Sequence, residues 1–274
     1  MIPFTKLEGN GNDFILIDEY HGELVPEREK PGFAARFCHR RFGIGADGVL
    51  YLQPSDKADL KMRLLQPDCS EAEMCGNGIR CLARYALEAG YITEGEARVE
   101  TPAGILTLKV TPESVRVDMG TPLYQRGQIP AQGDPGDTFL EVELHSLPVS
   151  AVNTGVPHAV IITNNLENIK IEKIAPEIRF HPIFPQGANV NFVKIKSRDE
   201  IEIRTYERGV EAETLSCGTG SVAAAAIATR LGKTRGEVKV NTKGGPLKIT
   251  LKEDKAYMEG PANIVFKGNL PIKN

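Results

Sequence analysis

Cys75 and Cys217 each open a Cys-Gly-x-Gly turn, behind an acidic stretch and ahead of a helix-forming run. The first reads EAEMCGNGIRCLARYALEAG from Glu71 to Gly90, the second EAETLSCGTGSVAAAAIATRLG from Glu211 to Gly232. A thiol at a helix start lies beside unpaired backbone N–H groups and the positive end of the dipole, which stabilise a thiolate. Its reference pKa of roughly 8.5 can thereby be brought near neutrality. Two such thiols suit chemistry that needs the same group twice. Inversion of a stereocentre is the natural case, with one sulfur removing a proton as thiolate and the other delivering one as thiol. Helix N-termini would hold an α-carboxylate and the charge that develops on it, and the glycines let backbone approach the ligand without a Cβ in the way.

Other cysteine chemistry fits less well. A cysteine hydrolase needs one nucleophile and a His base, leaving the second turn unexplained. The five histidines (His21, His39, His145, His158, His181) form no CxxC or HxxxH pairing, so no metal is expected. Cys38, Cys69 and Cys81 read as small buried hydrophobes. A structural disulfide between Cys75 and Cys217 does not suit a reducing compartment, which an odd number of irregularly spaced cysteines favours.

The elements that present these turns are repeated. Cys75 and Cys217 are 142 apart (217 − 75), as are Gly45-Ala46-Asp47-Gly48-Val49-Leu50 and Gly187-Ala188-Asn189-Val190-Asn191-Phe192 (187 − 45). VETPAGILTLKV from Val99 echoes VNTKGGPLKITL from Val240, MGTP at Met119 echoes MEGP at Met258, and GNDFILID from Gly11 echoes VPHAVIIT from Val156. Landmarks in the same order across two halves indicate domain duplication. Strands are predicted at Phe14–Asp18, Lys61–Gln66, Ile105–Val110, Ser114–Asp118, Val190–Lys196, Ile201–Tyr206 and Leu247–Leu251, from branched residues bounded by Gly, Pro or Asp. Ile79, Leu82, Ala83, Ala86 and Leu87 give a helix with one buried face, whereas Ser221 to Leu231 is apolar nearly all round and should be enclosed. The expected fold is α/β (α+β): two pseudo-symmetric duplicated domains, each a barrel-like, mostly antiparallel sheet around a central helix. Thr121–Asp137, rich in Pro and Gly, reads as the connector.

With 274 residues, 41% apolar and 25% charged, the chain has the make-up of a globular protein of two domains. A net charge of −3 points away from nucleic-acid and anionic-membrane partners. MIPFTKLEGNGNDF lacks the basic and apolar regions of a signal peptide, and no run approaches the roughly 20 apolar residues that span a bilayer. A cytoplasmic location is expected.

GNGNDF at Gly9–Phe14, GIGADG at Gly43–Gly48, SEAEMCGNGIRC at Ser70–Cys81, PHAV at Pro157–Val160, NVNFV at Asn189–Val193, YERGVEAET at Tyr206–Thr214 and SCGTG at Ser216–Gly220 resemble the diaminopimelate epimerases nearly end to end. The resemblance implies epimerisation of L,L-diaminopimelate to the meso isomer in lysine biosynthesis, without pyridoxal phosphate or other cofactor, and commonly as a homodimer. It implies a domain of residues 1–120 plus 264–274 carrying Cys75, a domain of 121–263 carrying Cys217, and an active site in the cleft between them. Carried over by position, Cys75 and Cys217 are the acid/base pair, assisted by His158 and Glu207. Gly76, Asn77, Gly218 and Thr219 match the carboxylate cradle. Asn12, Asn189, Glu207 and Arg208 match groups that hold the substrate's amino and distal ends, where the Arg208 fork suits a carboxylate.

Three positions depart from the family pattern. The usual Asn before the first active cysteine is the longer Gln66, the usual Asn beside the histidine is Val156, and Gly48 stands where some members carry Gln. All three bear on recognition rather than on proton transfer, so a racemase of another amino acid such as histidine is the alternative. From a different class, the two cysteines could form a non-catalytic thiol redox switch.

Overall fold

Residues 1–271 are described in a computed structural model, and all seven segments expected as strands are strands in it. In the first half the strands are β1 (Ile2–Gly9), β2 (Asn12–Asp18), β3 (Gly48–Gln53), β4 (Leu60–Leu65), β5 (Glu71–Ala72), β6 (Gly95–Thr101), β7 (Gly104–Val110) and β8 (Val115–Asp118). Next come β9 (Val142–Leu144), β10 (Leu147–Asn153), β11 (Pro157–Ile162), β12 (Asn189–Ser197), β13 (Glu200–Glu207) and β14 (Ala212–Thr214). Last are β15 (Glu237–Thr242), β16 (Gly245–Lys252), β17 (Lys255–Gly260) and β18 (Asn263–Leu270). The α-helices are α1 (Lys30–Phe37), α2 (Gly76–Glu88), α3 (Ile171–Arg179) and α4 (Gly218–Arg230). The stretch expected as a connector, Thr121–Asp137, holds one short 3-10 turn at Arg126–Gln128 and no strand.

The chain divides into two units, Met1–Val117 with the segment from Gly260 onward, and Asp118–Glu259. Of the segment 264–274, the last three residues lie outside the described residues. In the first unit the pairing order is β18-β1-β2-β3-β4-β6-β7-β8, with β5 added to β4. In the second it is β9-β10-β11-β12-β13-β15-β16-β17, with β14 added to β13. The two parallel pairs, β2–β3 and β4–β6, are bridged by α1 and α2, as β11–β12 and β13–β15 are by α3 and α4. Parallel neighbours need such crossovers, and the other pairs named above are antiparallel. Each sheet packs round its cysteine helix in the barrel-like manner expected, and among the described residues no pairing joins its two edge strands. α2 touches β1, β2, β3, β4, β7 and β18; α4 touches β10, β11, β12, β13, β15 and β16.

Matching the units by register shifts two of the sequence echoes by one residue. β2 and β3 pair Phe14 with Gly48, and β11 and β12 pair His158 with Asn189. The counterparts are therefore Phe14 and His158 (158 − 14 = 144) and Gly48 and Asn189 (189 − 48 = 141), instead of offsets of 145 and 142. Leu50–Leu64 in the first unit then matches Asn191–Thr205 in the second. Sequence similarity tolerates this slip, but the pleat does not, because one residue of shift turns every side chain to the other face. Between Ala46/Ala188 and Gly48/Asn189 the first unit carries one extra residue, Asp47.

The outer face of each sheet is covered by its other helix. Ile15, Ile17, Val49, Tyr51 and Leu65 pack with Phe33 and Ala34 of α1. Ala159, Ile161, Val190, Phe192 and Tyr206 pack with Ile171, Ala175 and Ile178 of α3. The inner faces look onto the cysteine helices.

Candidate functional site

Each cysteine is the N-cap of its helix. Cys75 has extended backbone (φ −142°, ψ 115°) and its Sγ accepts the Gly78 N–H at 3.4 Å. Cys217 repeats this (φ −123°, ψ 115°), accepting the Gly220 N–H at 3.4 Å. Sulfur thus takes the place that Ser or Asp usually fills, with one backbone donor aimed at it. The N–H groups of Gly76 and Asn77, and of Gly218 and Thr219, have no carbonyl partner within the helix, an arrangement that suits an anion at either turn. Both helices close in the same way: Gly90 (φ 76°) and Gly232 (φ 70°) take the left-handed position after the last turn. Tyr91 N–H then bonds Ala86 O, and Lys233 N–H bonds Ala228 O.

Just ahead of each cysteine sits the same brace. Arg63 grips Glu71 through Nε and Nη2 at 2.7 and 2.8 Å, and Arg204 grips Glu213 at 2.7 and 2.9 Å. Such forked pairs hold a carboxylate in plane, and here they fix β5 and β14, which deliver the cysteines.

The side chain that meets Cys75 Sγ offers it an acceptor. Asn12 Oδ1 lies 3.7 Å from Sγ and also accepts Asn77 Nδ2 at 3.3 Å. Asn12 Nδ2 donates to Asp47 Oδ2 at 2.5 Å, which fixes which end of the amide faces the sulfur. Asp47 is held by Arg40 at 2.6 Å, and Arg40 also forks onto Asp13 at 2.8 and 3.1 Å. Lys6 meets the same Asp13 at 2.6 Å. Although burial opposes its charge, hydrogen bonds from Arg40 and Lys6 prevail and bring the Asp13 carboxyl down to about 2. The wholly buried Arg80 donates to Asn77 Oδ1 at 2.9 Å, Asn10 Oδ1 at 2.7 Å and Gly76 O at 3.3 Å, so Asn77 is held from beneath.

Around Cys217 the arrangement differs. Sγ lies 3.4 Å from Thr219 Oγ1, which lies 2.9 Å from His158 Nε2, and His158 Nδ1 lies 3.0 Å from Asn191 Nδ2. His158 and Asn191 are both fully buried. Burial pushes the imidazole down to about 3, with the Arg208 charge adding to it, so His158 is neutral. Gly220 is required here, because a Cβ would sit 2.6 Å from Asn191 Oδ1.

Among the recognition candidates, Asn189 Oδ1 accepts the Arg208 N–H at 2.8 Å while its Nδ2 donates to Pro157 O at 3.2 Å, so it ties the start of β11 to the residue after β13. Arg208 Nη1 donates to Gln186 O at 3.1 Å. Glu207 ends β13 beside it and is half-buried. Gln66 is exposed and its Oε1 accepts the Ser70 hydroxyl at 2.8 Å. Val156 follows Gly155 (φ 103°) and is the counterpart of Asn12 (156 − 12 = 144), which follows Gly11 (φ 78°). The space beside Gly48 is filled by Leu64, whose Cδ1 would lie 2.6 Å from a Cβ. Burial pushes the Cys38 thiol up to about 12 and raises Cys81 as well, as expected of inert core cysteines. Cys69 departs from that expectation: it is exposed, at a left-handed turn (φ 72°).

The sequence of the known diaminopimelate epimerases, expressed as a family model, matches residues 4–124 and 150–265. The chain belongs to the diaminopimelate epimerase family. It is 59% identical over 271 residues to a diaminopimelate epimerase of Methanothrix thermoacetophila, covering 97% of this chain and 95% of that one. With the diaminopimelate epimerase of Archaeoglobus fulgidus it shares 55% over 274 residues, covering 99% and 97%. Its fold matches the crystal structure of a phenazine biosynthesis protein of the PhzF family from Bacillus anthracis, with a TM-score of 0.73, 18% identity and 99% of both chains covered. The diaminopimelate epimerase resemblance drawn from the motifs is thus confirmed along the chain. Asp47, Arg80, Asn191 and Thr205 were not singled out as functional from the sequence. Only Asn191 left a trace, as an amide among the apolar residues Val190, Phe192 and Val193, which demands a partner once buried.

Proposed function

We propose that the chain epimerises L,L-diaminopimelate to meso-diaminopimelate in lysine biosynthesis, by proton transfer between two thiols and one α-carbon, with no pyridoxal phosphate and no metal. The observation that carries this reading is the repeated sulfur N-cap: two cysteines, each with a backbone donor on Sγ and two further N–H groups beside it. Family membership gives the substrate. The thiolate of one cysteine takes the α-proton, and the thiol of the other delivers its proton to the opposite face. The N–H groups of Gly76, Asn77, Gly218 and Thr219 take up the α-carboxylate, stabilising the charge that develops on it. Asn12, Gln66, Asn189, Glu207 and Arg208 recognise the amino and distal groups. His158 and Glu207 assist the sulfurs. The enzyme works as a homodimer in the cytoplasm, with neither nucleic acid nor membrane as partner.

Purified protein incubated with L,L-diaminopimelate in D2O, without cofactor, tests the reading by NMR. Deuterium at one α-position and appearance of the meso isomer are expected. Failure of exchange, or exchange only after addition of pyridoxal phosphate, contradicts it. Histidine belongs in the same panel, because Gln66, Val156 and Gly48 alter the recognition set; exchange on histidine alone would move the assignment to a racemase.

A further inference from the structure

The buried polar chain in the second unit has a direction. Ala159 O can only accept, and Asn191 Nδ2 lies 3.1 Å from it, so the orientation of the Asn191 amide is settled. The Thr205 hydroxyl agrees, donating to Asn191 Oδ1 at 3.0 Å. The second Nδ2 hydrogen therefore points to His158 Nδ1 at 3.0 Å. An amide nitrogen has no lone pair to offer, so Nδ1 is the acceptor and the neutral ring carries its proton on Nε2. That proton goes to Thr219 Oγ1, 2.9 Å away. With its oxygen accepting from His158, Thr219 turns its own hydrogen away from the ring, and Cys217 Sγ lies 3.4 Å off. A donor aimed at sulfur favours thiolate over thiol. At Cys75 the side-chain contact with sulfur has the opposite sense: Asn12 Oδ1, a pure acceptor locked in place through Asp47, favours S–H, and the buried Arg80 reaches this sulfur through its charge alone.

We propose that Asn191 is a positioning residue: by setting the His158 tautomer it aims the Thr219 hydroxyl at Cys217, so that Cys217 enters turnover as thiolate and Cys75 as thiol. Its catalytic meaning rests on the two-thiol reaction above. In that first step the C–H bond breaks toward Cys217 Sγ and the Cys75 S–H proton passes to carbon, leaving Cys217 as thiol and Cys75 as thiolate. No oxidant or reductant is involved, and the reverse reaction starts from the exchanged form.

The test needs no substrate, so it stands or falls apart from the choice of reaction. The full chain is alkylated with iodoacetamide over a range of pH, and each cysteine peptide is quantified by mass spectrometry. The pH midpoint is read, because Cys217 is more deeply buried than Cys75 and absolute rates differ for that reason. Cys217 should titrate below Cys75. Asn191→Leu and Thr219→Val should each lower the thiolate fraction of Cys217 at neutral pH by about tenfold, leave Cys75 within about twofold, and Thr219→Ser should restore it. Nitrogen NMR of labelled histidine should show the His158 proton on Nε2 in the wild type and redistributed in Asn191→Leu. A proton on Nδ1 in the wild type overturns the proposal. So does a Cys217 midpoint unmoved in Thr219→Val, which decides the matter even where Asn191→Leu does not fold.

Discussion

The two inner faces beneath the cysteine helices are built on one register and filled with opposite chemistry. In the first unit the column under Gly78 is Phe14, Leu50 and Leu64, and a Cβ on Gly78 would meet Leu50 at 3.2 Å and Phe14 at 3.5 Å. In the second the same places hold His158, Asn191 and Thr205, bonded in a line that ends at the sulfur. Cys75 instead receives its polar partner from the loop side, through Asn12 and the extra residue Asp47. Duplication thus supplied two equal sulfur caps, and divergence of a few inward positions made their surroundings unequal. A symmetric reaction needs the first; an ordered first step needs the second.

The comparison can be broken at several levels. The largest effect is expected at the caps: Cys75→Ala and Cys217→Ala should each reduce epimerisation by about 10³-fold or more, as loss of a general acid or base does. Near wild-type turnover in either variant would mean that only one sulfur works.

Exchanging the columns comes next. Leu50→Asn buries an amide among Phe14 and Leu64, where no polar chain receives it, and should cost about 3 kcal/mol in urea unfolding. A neutral outcome would show that the first unit tolerates polarity, and that the apolar column there has no packing role.

In mild acid, near pH 5.5, a smaller effect of about 1.4 kcal/mol follows from His158. Its folded value of about 3 lies below the ordinary 6.5, so on acidification the unfolded chain takes up the proton first. Stability from this group is complete above pH 6.5 and is lost as pH falls toward 3, by about 1.4 kcal/mol per pH unit. His158→Gln should remove that portion of the acid slope, whereas Phe14 variants should leave it in place. Thermal melts across this range measure it.

The smallest change concerns the shared brace. Arg63→Lys and Arg204→Lys each lose a forked grip on Glu71 or Glu213, and each should cost about 1 kcal/mol, because a point charge cannot replace the fork. Markedly unequal melts for the two would show that the repeat is geometric without being energetic.

Much of this architecture was legible in the chain. The CGxG turns after acidic stretches located both helix starts; that Gly90 and Gly232 close both helices came from the structure, where they take φ values that glycine adopts most readily. The apolar stripe on α2 and the uniformly apolar α4 foretold how deeply each helix is enclosed. The short strands β5, β9 and β14 carried no readable period, since two or three residues cannot show one.

What the sequence by itself determined was local: two thiols at two helix starts, duplicated in order, within a recognisable family. Which side chains lie under each sulfur was decided by tertiary structure. The pairing register, one residue away from the most similar alignment, sets which face each strand residue takes. It places Asn191 beneath Gly220, where only a missing Cβ allows the approach. The sense of the hydrogen bonds was settled there too, because a carbonyl such as Ala159 O can only accept, and that one constraint orients the amide, the imidazole and the hydroxyl in turn.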